Sequence, residues 1–112
     1  MIKDILSASG LPYRRGRYPK PPAGTYAVYT DDMSTDAADP VPLLPGERIP
    51  YTAAHEATIE LYEDGPDDQA EKRLEAEILG RGLSFEKTDR QWLQDVQRYA
   101  VFYDLTYYTK AI

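Results

Sequence analysis

The sequence predicts an α+β fold in which an antiparallel or mixed sheet of about four strands packs against one main helix. Three observations lead to this prediction: segments of strand length that alternate apolar and polar residues, one amphipathic segment with helical spacing, and the order in which these segments follow one another. The 112 residues, of which 42% are hydrophobic, fit a single domain over residues 1–112 with a modest core.

A short helix and a basic arm are predicted ahead of the first strand. Ile2, Ile5 and Leu6 recur at helical spacing, which predicts a short helix within residues 1–10. Four prolines among residues 11–24 exclude a regular helix and predict an extended arm, part of which pairs at the edge of the sheet. The basic residues of this arm are Arg14, Arg15, Arg17 and Lys20.

Four further segments have the character of β-strands. They cover residues 25–30, about 51–63, 83–87 and about 97–110. The first is predicted to end at Asp31, and Trp92 is placed in the connection before the last. In the last segment the odd-numbered residues from 99 to 107 form one apolar face, while Phe102 and Tyr108 lie on the other. Because this second face is also apolar, we expect a neighbouring subunit to cover it.

The main helix is predicted from Pro66, which suits the first helical position, to Gly80. Its apolar stripe recurs every four residues, and Leu79 is expected to widen it. The stripe consists of Ala70, Leu74 and Ile78. Gly80 and Gly82 offer a left-handed stop after the helix. This one helix is expected to cover one face of the sheet.

A long proline-rich loop is predicted over residues 33–50, between the first two long strands. Four aspartates crowd its beginning and raise the hypothesis of a calcium site, because Ca²⁺ takes several oxygen ligands from one turn. They are Asp31, Asp32, Asp36 and Asp39. Their spacing lacks the alternation and the glycine of an EF-hand loop, so we interpret the segment as a solvated acidic loop.

The residues that would support catalysis or cofactor binding are scarce. The absence of cysteine excludes a disulfide framework, a thiolate zinc site and a cysteine nucleophile, and no glycine-rich phosphate loop occurs. His55 and Glu56 are neighbours on a strand and point to opposite faces, as do Glu86 and Lys87, which argues against an acid/base pair and a metal-dependent nuclease. We therefore predict a protein that is not an enzyme and holds no metal or cofactor. No apolar run approaches the roughly 18 residues that cross a bilayer, so no membrane partner is expected.

Charge and aromatic content favour contacts with protein over contacts with nucleic acid. The net charge of -6 opposes general attraction to a phosphate backbone, and ten tyrosines suit surfaces that are dry in a complex. Tyr13 and Tyr18 are interleaved with the basic residues of the arm, a pattern that also occurs in nucleic-acid-binding modules. Docking of the arm on an acidic surface, such as the Asp-rich loop of an adjacent copy, is the favoured interpretation, and a small nucleic-acid-binding module is the alternative.

Several segments together resemble the tail terminator, or tail-completion, proteins of long-tailed bacteriophages. They are Gly24–Tyr29, His55–Tyr62, Asp67–Arg81, Phe85–Lys87 and Arg98–Tyr103. The resemblance spans about residues 24–110 and rests on size, element order and general character. It implies a small α+β subunit that forms a hexameric ring, caps the head-proximal end of the tail tube and presents a surface to the head connector, without catalysis. Against the family, the first helix is short and the arm is unusually basic.

Under this resemblance the partners are further copies of the chain, the tail tube protein and the head connector protein, with DNA only as passing cargo. The subunit would be assembled in the cytoplasm of the host bacterium and reside in the tail or neck of the virion. Another neck or minor virion protein is an alternative of the same class. We expect residues of the arm, the acidic loop and the last strand to make the contacts. They are Arg14, Arg15, Arg17, Lys20, Asp31, Asp32, Asp36, Tyr103, Tyr107 and Tyr108.

Overall fold

The computed structural model describes residues 1–35 and 51–111, which form two helices and six strands. In chain order the elements are α1 (Ile2–Ser9), β1 (Tyr13–Arg15), β2 (Tyr26–Thr35), β3 (Tyr51–Glu63), α2 (Asp68–Gly80), β4 (Glu86–Lys87), β5 (Gln91–Leu93) and β6 (Arg98–Ala111). The fold is α+β, as predicted. The sheet has six strands instead of about four, because the arm and the segment around Trp92 each contribute a short edge strand. Most of the predicted loop over residues 33–50, including Asp36 and Asp39, lies outside the described residues.

Three long strands form the centre of a mixed sheet. The strand order is β1-β2-β3-β6-β4, with β5 also paired to β6. β1 is parallel to β2, and the other pairs are antiparallel. The register places Tyr29, Ile59 and Tyr103 side by side across β2, β3 and β6. The pairing of β1 with β2 confirms that part of the arm joins an edge of the sheet.

One face of the sheet packs against both helices and is called the helix face. It carries the odd-numbered residues of β2, β3 and β6, because successive residues of a strand point to opposite sides. Its buried side chains form one core with those of the helices. The members with no exposed surface are Ile5, Leu6, Ala27, Ile59, Leu61, Ala70, Leu74, Ile78, Val101 and Tyr103. The predicted odd-numbered face of the last strand is thus the one that the helices cover.

The N-terminus of α2 is fixed by a side-chain cap. The carboxylate of Asp67 accepts a hydrogen bond from the amide of Ala70 at 3.1 Å, so the helix begins at the next residue. Pro66 therefore precedes the cap instead of occupying the first helical position. Leu79 is 58% exposed and does not widen the apolar stripe, because it is rotated by about 100° from Ile78 around the helix axis.

Two strand boundaries differ from those that the sequence predicts. β2 continues through Asp31 and Asp32, because ten of its residues pair with β3 and a ladder of that length satisfies backbone groups that a turn would expose. The predicted strand over residues 83–87 is reduced to its last two residues. Trp92 lies in β5 instead of a connection, and its ring packs on Tyr99 with 5.0 Å between centroids.

The molecule is elongated along its strands, with dimensions of 59 × 27 × 22 Å. The 14 residues of β6 span about 46 Å, whereas the 13 residues of α2 span about 20 Å. The helices therefore cover only part of the helix face. The opposite face carries the even-numbered residues of β2, β3 and β6, and no described helix lies over it; we call it the open face.

The basic arm folds over one end of the open face. Tyr18 packs edge-on against Tyr26 at 5.5 Å, and Tyr26 stacks on Tyr62 at 5.1 Å, measured between ring centroids. These contacts leave Tyr26 only 3% exposed. Phe102 is half-buried and Tyr108 is 67% exposed, so the described part of the chain leaves the rest of this face accessible.

Candidate protein-interaction surfaces

The basic residues of the arm divide between the two faces of the sheet. Arg14 and Arg15 are neighbours on β1, so Arg14 lies on the open face and Arg15 on the helix face. Arg17 and Lys20 follow in the part of the arm that crosses the open face, and both are exposed. The four predicted cations therefore serve two different surfaces.

On the helix face, Asp31 joins residues of three strands through hydrogen bonds. Its carboxylate lies 3.1 Å from Nδ1 of His55 and accepts a hydrogen bond from the hydroxyl of Tyr107. The His55 ring stacks on that of Tyr107 with 4.4 Å between centroids. Burial, the hydrogen bond to Asp31 and its negative charge raise the pKa of Tyr107, so its hydroxyl remains a donor. Asp31 and Tyr107 are among the contact residues that the sequence predicts, but His55 is not, because the pairing that brings it to Asp31, 24 residues away, is not visible in the sequence.

A groove of about 430 Å³ opens beside this cluster, between the start of α1 and the edge of the sheet. Tyr29, Asp31 and His55 line it from the sheet, and Arg15 lines it from β1. Nη2 of Arg15 donates to the backbone carbonyl of Asp31 at 3.3 Å. Lys3 lines it from α1. We call this the N-terminal groove.

The open face is acidic and contains two pairs of like charges directly opposite each other. Asp32 pairs in register with Glu56, and Glu86 pairs with Asp104. All four are exposed, and no ion pair reaches them from any residue that the structure describes. Like charges facing each other across strands destabilise a sheet. Glu60 adds a fifth carboxylate to this face, where it accepts a hydrogen bond from Tyr62.

The remaining predicted contact residues have different environments. Tyr103 has no exposed surface, and its hydroxyl donates to Glu75 at 3.1 Å, which removes it from the surface available to a partner. Tyr107 is also buried, at 4% exposure, in the cluster described above. Tyr108 lies on the open face. Asp36 lies outside the described residues.

A second polar cluster joins β3, α2 and the segment between β4 and β5. Arg90 bonds Glu63 through Nε at 3.0 Å, and its Nη2 bonds Asp68 at 2.8 Å and also Glu71. Lys87 bonds Glu71 at 2.8 Å. Glu63 has no exposed surface and Glu71 is 5% exposed. These bonds attach the segment that carries the short strands to the core of the fold.

Burial shifts one carboxyl group of this cluster toward its protonated form. Burial, together with the hydrogen bond to Glu71 and the charge of Glu71, raises the pKa of Glu63 to about 7. Burial acts on Glu71 in the same direction, but its hydrogen bonds to Glu63, Lys87 and Arg90 outweigh burial and lower its pKa to about 2. Oε2 of Glu63 is buried and accepts no hydrogen bond from any described residue, and a protonated oxygen at this position can donate to Glu71.

The raised pKa of Glu63 predicts that stability falls as the pH rises from about 4.5 to about 7. Because the folded state holds a proton that the unfolded state releases near its ordinary pKa of 4.5, this contribution is complete below pH 4.5 and disappears as pH rises through about 7. The Glu63→Gln variant keeps a neutral donor at this position, so we expect it to be more stable than wild type by about 1–3 kcal/mol at pH 8 and similar at pH 5. Urea unfolding at both pH values measures this difference.

The matched control is Glu77→Gln on the same helix as Glu71, where the carboxylate is partly exposed and makes only a 3.8 Å pair with Arg81. Its effect on the free energy of unfolding should be the same at both pH values, within about 0.5 kcal/mol. A Glu63→Gln variant with the same pH dependence as wild type would contradict the proton on Glu63.

Comparison with protein-family models, curated proteins and solved structures finds no match for this chain. Within residues 1–35 and 51–111, no group of three or more His, Cys, Asp or Glu side chains is arranged to hold a metal ion. No helix in that part of the chain is long and apolar enough to cross a membrane. The surfaces themselves are therefore the basis for a functional proposal.

Proposed function

We propose that this protein is an assembly subunit of a bacteriophage virion that forms a ring by self-association. Like the tail terminators that its sequence resembles, the ring caps the head-proximal end of the tail tube and joins it to the head connector. Its partners are further copies of the chain, the tail tube protein and the head connector protein. The subunit is assembled in the host cytoplasm and resides in the tail or neck, and DNA passes through the ring without being bound.

The observation that supports this proposal most strongly is the charge arrangement of the open face. The pairs Asp32–Glu56 and Glu86–Asp104 are unfavourable in the isolated subunit, because each places two negative charges opposite each other on exposed strands. A partner that brings positive charge removes this repulsion. The face is also accessible beyond the arm, where Tyr108 offers a large aromatic surface of the type enriched in interfaces.

The chain itself supplies a suitable partner in its basic arm. Arg17 and Lys20 are exposed and form no ion pair with any described residue. Docking of the arm of one copy on the acidic part of the next uses two different patches. A contact of this kind is heterologous, and a heterologous contact that closes on itself produces a ring.

The nucleic-acid-binding alternative makes a different prediction. It requires the arm to bind a phosphate backbone, whereas the five carboxylates of the open face repel one. Titration of labelled DNA at moderate salt should therefore show no tight binding. Tight binding that weakens steeply with salt would favour the alternative.

The mass of the protein in solution tests whether it assembles into a ring. We expect native mass spectrometry and light scattering of the full chain to give about six times the subunit mass of 12.7 kDa. A strict monomer, or a closed dimer that does not grow with concentration, would contradict the proposal. When the purified protein is added to polymerising tail tube protein, we also expect the tubes to stop growing, as seen in electron micrographs. This result would distinguish a tail terminator from another neck protein.

A charge reversal on the open face should dissociate the ring without harming the subunit. The double variant Asp32→Lys, Glu86→Lys converts both like-charge pairs into opposite charges and keeps the hydrogen bond from Thr58 to Asp104, so its free energy of unfolding should stay the same or rise by about 0.5 kcal/mol. The introduced lysines repel the basic arm of a second copy. We therefore expect this variant to be monomeric at concentrations where the wild-type protein forms a ring. The control Asp89→Lys, Asp95→Lys makes the same charge change at exposed sites outside the long strands and should leave the ring intact. Rings that persist in the first variant would contradict the arm contact.

A further inference from the structure

The N-terminal groove has the properties of a binding site for a carboxylate. Lys3 and Arg15 provide its cations, and neither forms an ion pair with a residue that the structure describes. The bond of Arg15 to the carbonyl of Asp31 uses one of the five N–H groups of the guanidinium. A planar guanidinium binds a carboxylate in a two-pronged geometry.

The acidic residues of the groove restrict the charge of the ligand. Asp31 is held by His55 and Tyr107, and Asp4 lies 3.6 Å from the amino group of Met1, so both carboxylates are compensated locally. Lys3, Arg15 and the amino group of Met1 face two carboxylates, so the groove carries a small net positive charge. It therefore suits a single carboxylate better than a polyanion such as a nucleic-acid backbone.

The exposed acidic turn between β3 and α2 presents single carboxylates of the kind that the groove suits. It comprises residues 64–68, and the side chains of Asp64 and Asp68 are 67% and 77% exposed. The cap that Asp67 forms on α2 fixes the conformation of the turn, which reduces the entropy that binding would otherwise cost. Asp64 has only a 3.8 Å contact with Arg98.

The groove and the turn lie at different positions along the same strand. His55 lines the groove and Glu63 ends β3 next to the turn, eight residues further on, which corresponds to about 26 Å. A turn of the same chain is therefore too far away to occupy the groove. The contact must join two copies, and it is heterologous because the two patches differ.

We propose that the N-terminal groove binds the Asp64 carboxylate of the acidic turn of a second copy. Lys3 and Arg15 pair with that carboxylate, while the backbone carbonyl of Asp31 accepts a hydrogen bond from Arg15 and positions it. This inference rests on the proposed function, because it takes a second copy as the occupant, and it adds a second pair of surfaces to the arm and open-face contact between copies.

A peptide of residues 60–70 with blocked ends tests the groove apart from assembly. Its binding to the full chain is measured by calorimetry at low salt for wild type, Arg15→Ala and Arg14→Ala. Arg14 is the matched control, because it is the neighbouring arginine on β1 but faces the other side of the sheet. We expect Arg15→Ala to weaken binding about fivefold or more and Arg14→Ala to change it less than twofold. Arg15→Gln, which keeps most of the side chain, should behave like Arg15→Ala.

Two further probes complete the experiment. A peptide in which the three aspartates of the turn are replaced by asparagine should not bind. Equal effects of the two arginine variants, no binding by the wild-type peptide, or displacement of the peptide by oligothymidine would each overturn the inference.

The proposed groove contact and the proposed ring can be refuted independently of each other. If the chain forms rings of unchanged stability with Arg15→Ala, the groove is not the contact and the ring stands. If the chain is monomeric yet binds the peptide through Arg15, the groove stands and the ring falls.

Discussion

Replacement of Arg90 by methionine is expected to lower the free energy of unfolding by about 2–4 kcal/mol at pH 7. The substitution keeps most of the side-chain volume but removes the cation that bonds Glu63, Asp68 and Glu71. Glu71 is almost completely buried and would lose one of its two cationic partners. Lys87 alone would then have to compensate the buried carboxylate of Glu71, and removing one partner of a buried ion pair is strongly destabilising. Urea unfolding followed by circular dichroism measures the loss.

The control for this variant is Arg73→Met on α2. Arg73 is exposed and forms no ion pair with a described residue, so its replacement should change the free energy of unfolding by less than about 0.5 kcal/mol. Equal stability of the two variants would show that the Arg90 cluster does not attach the β4–β5 segment to the core.

Replacement of Leu74 by alanine is expected to cost about 2–5 kcal/mol. Leu74 has no exposed surface and lies in the core between α2 and the helix face, so its removal leaves a cavity that the surrounding strands cannot fill. Leu79→Ala is a matched control on the same helix, because Leu79 is 58% exposed. It should cost less than about 0.5 kcal/mol, and thermal unfolding compares the two. A similar cost at both positions would place the core on a different side of α2.

The parts of the fold that depend on local patterns could be predicted from the sequence. The alternation in β3 and β6 gives the buried face correctly, because one long strand determines which residues share a side. The end of α2 follows from Gly82, whose φ is +76°, and from Leu83, whose amide donates to the carbonyl of Ile78 at 3.3 Å.

The parts that depend on pairing between distant segments could not be predicted. Asp31 has low strand propensity but lies inside β2, because β3 pairs with β2 over ten residues and overrides local preference. The same pairing brings Asp31 to His55, although 24 residues separate them in the sequence. Arg90 and Glu63 are 27 residues apart, and nothing in their spacing indicates a buried bond.

The open face shows how local and global information combine. Its carboxylates come from β2, β3, β4 and β6, but the opposition of Glu86 to Asp104 and of Asp32 to Glu56 follows only from the register. Folding of the arm over one end of this face, through Tyr18, is a tertiary contact that composition does not reveal. The register pairs and the Tyr18 contact together place the carboxylates of the open face beside the basic arm.

The central claim, that the arm of one copy lies on the open face of the next, is tested most directly by cross-linking. The chain has no cysteine, so single cysteines can be introduced without background: Ala23→Cys in the arm and Thr106→Cys on the open face. We predict that a mixture of the two variants forms disulfide-linked pairs that contain one of each, and that neither variant cross-links alone. Pairs that form only between identical variants, or none at all at concentrations where wild type assembles, would contradict the claim.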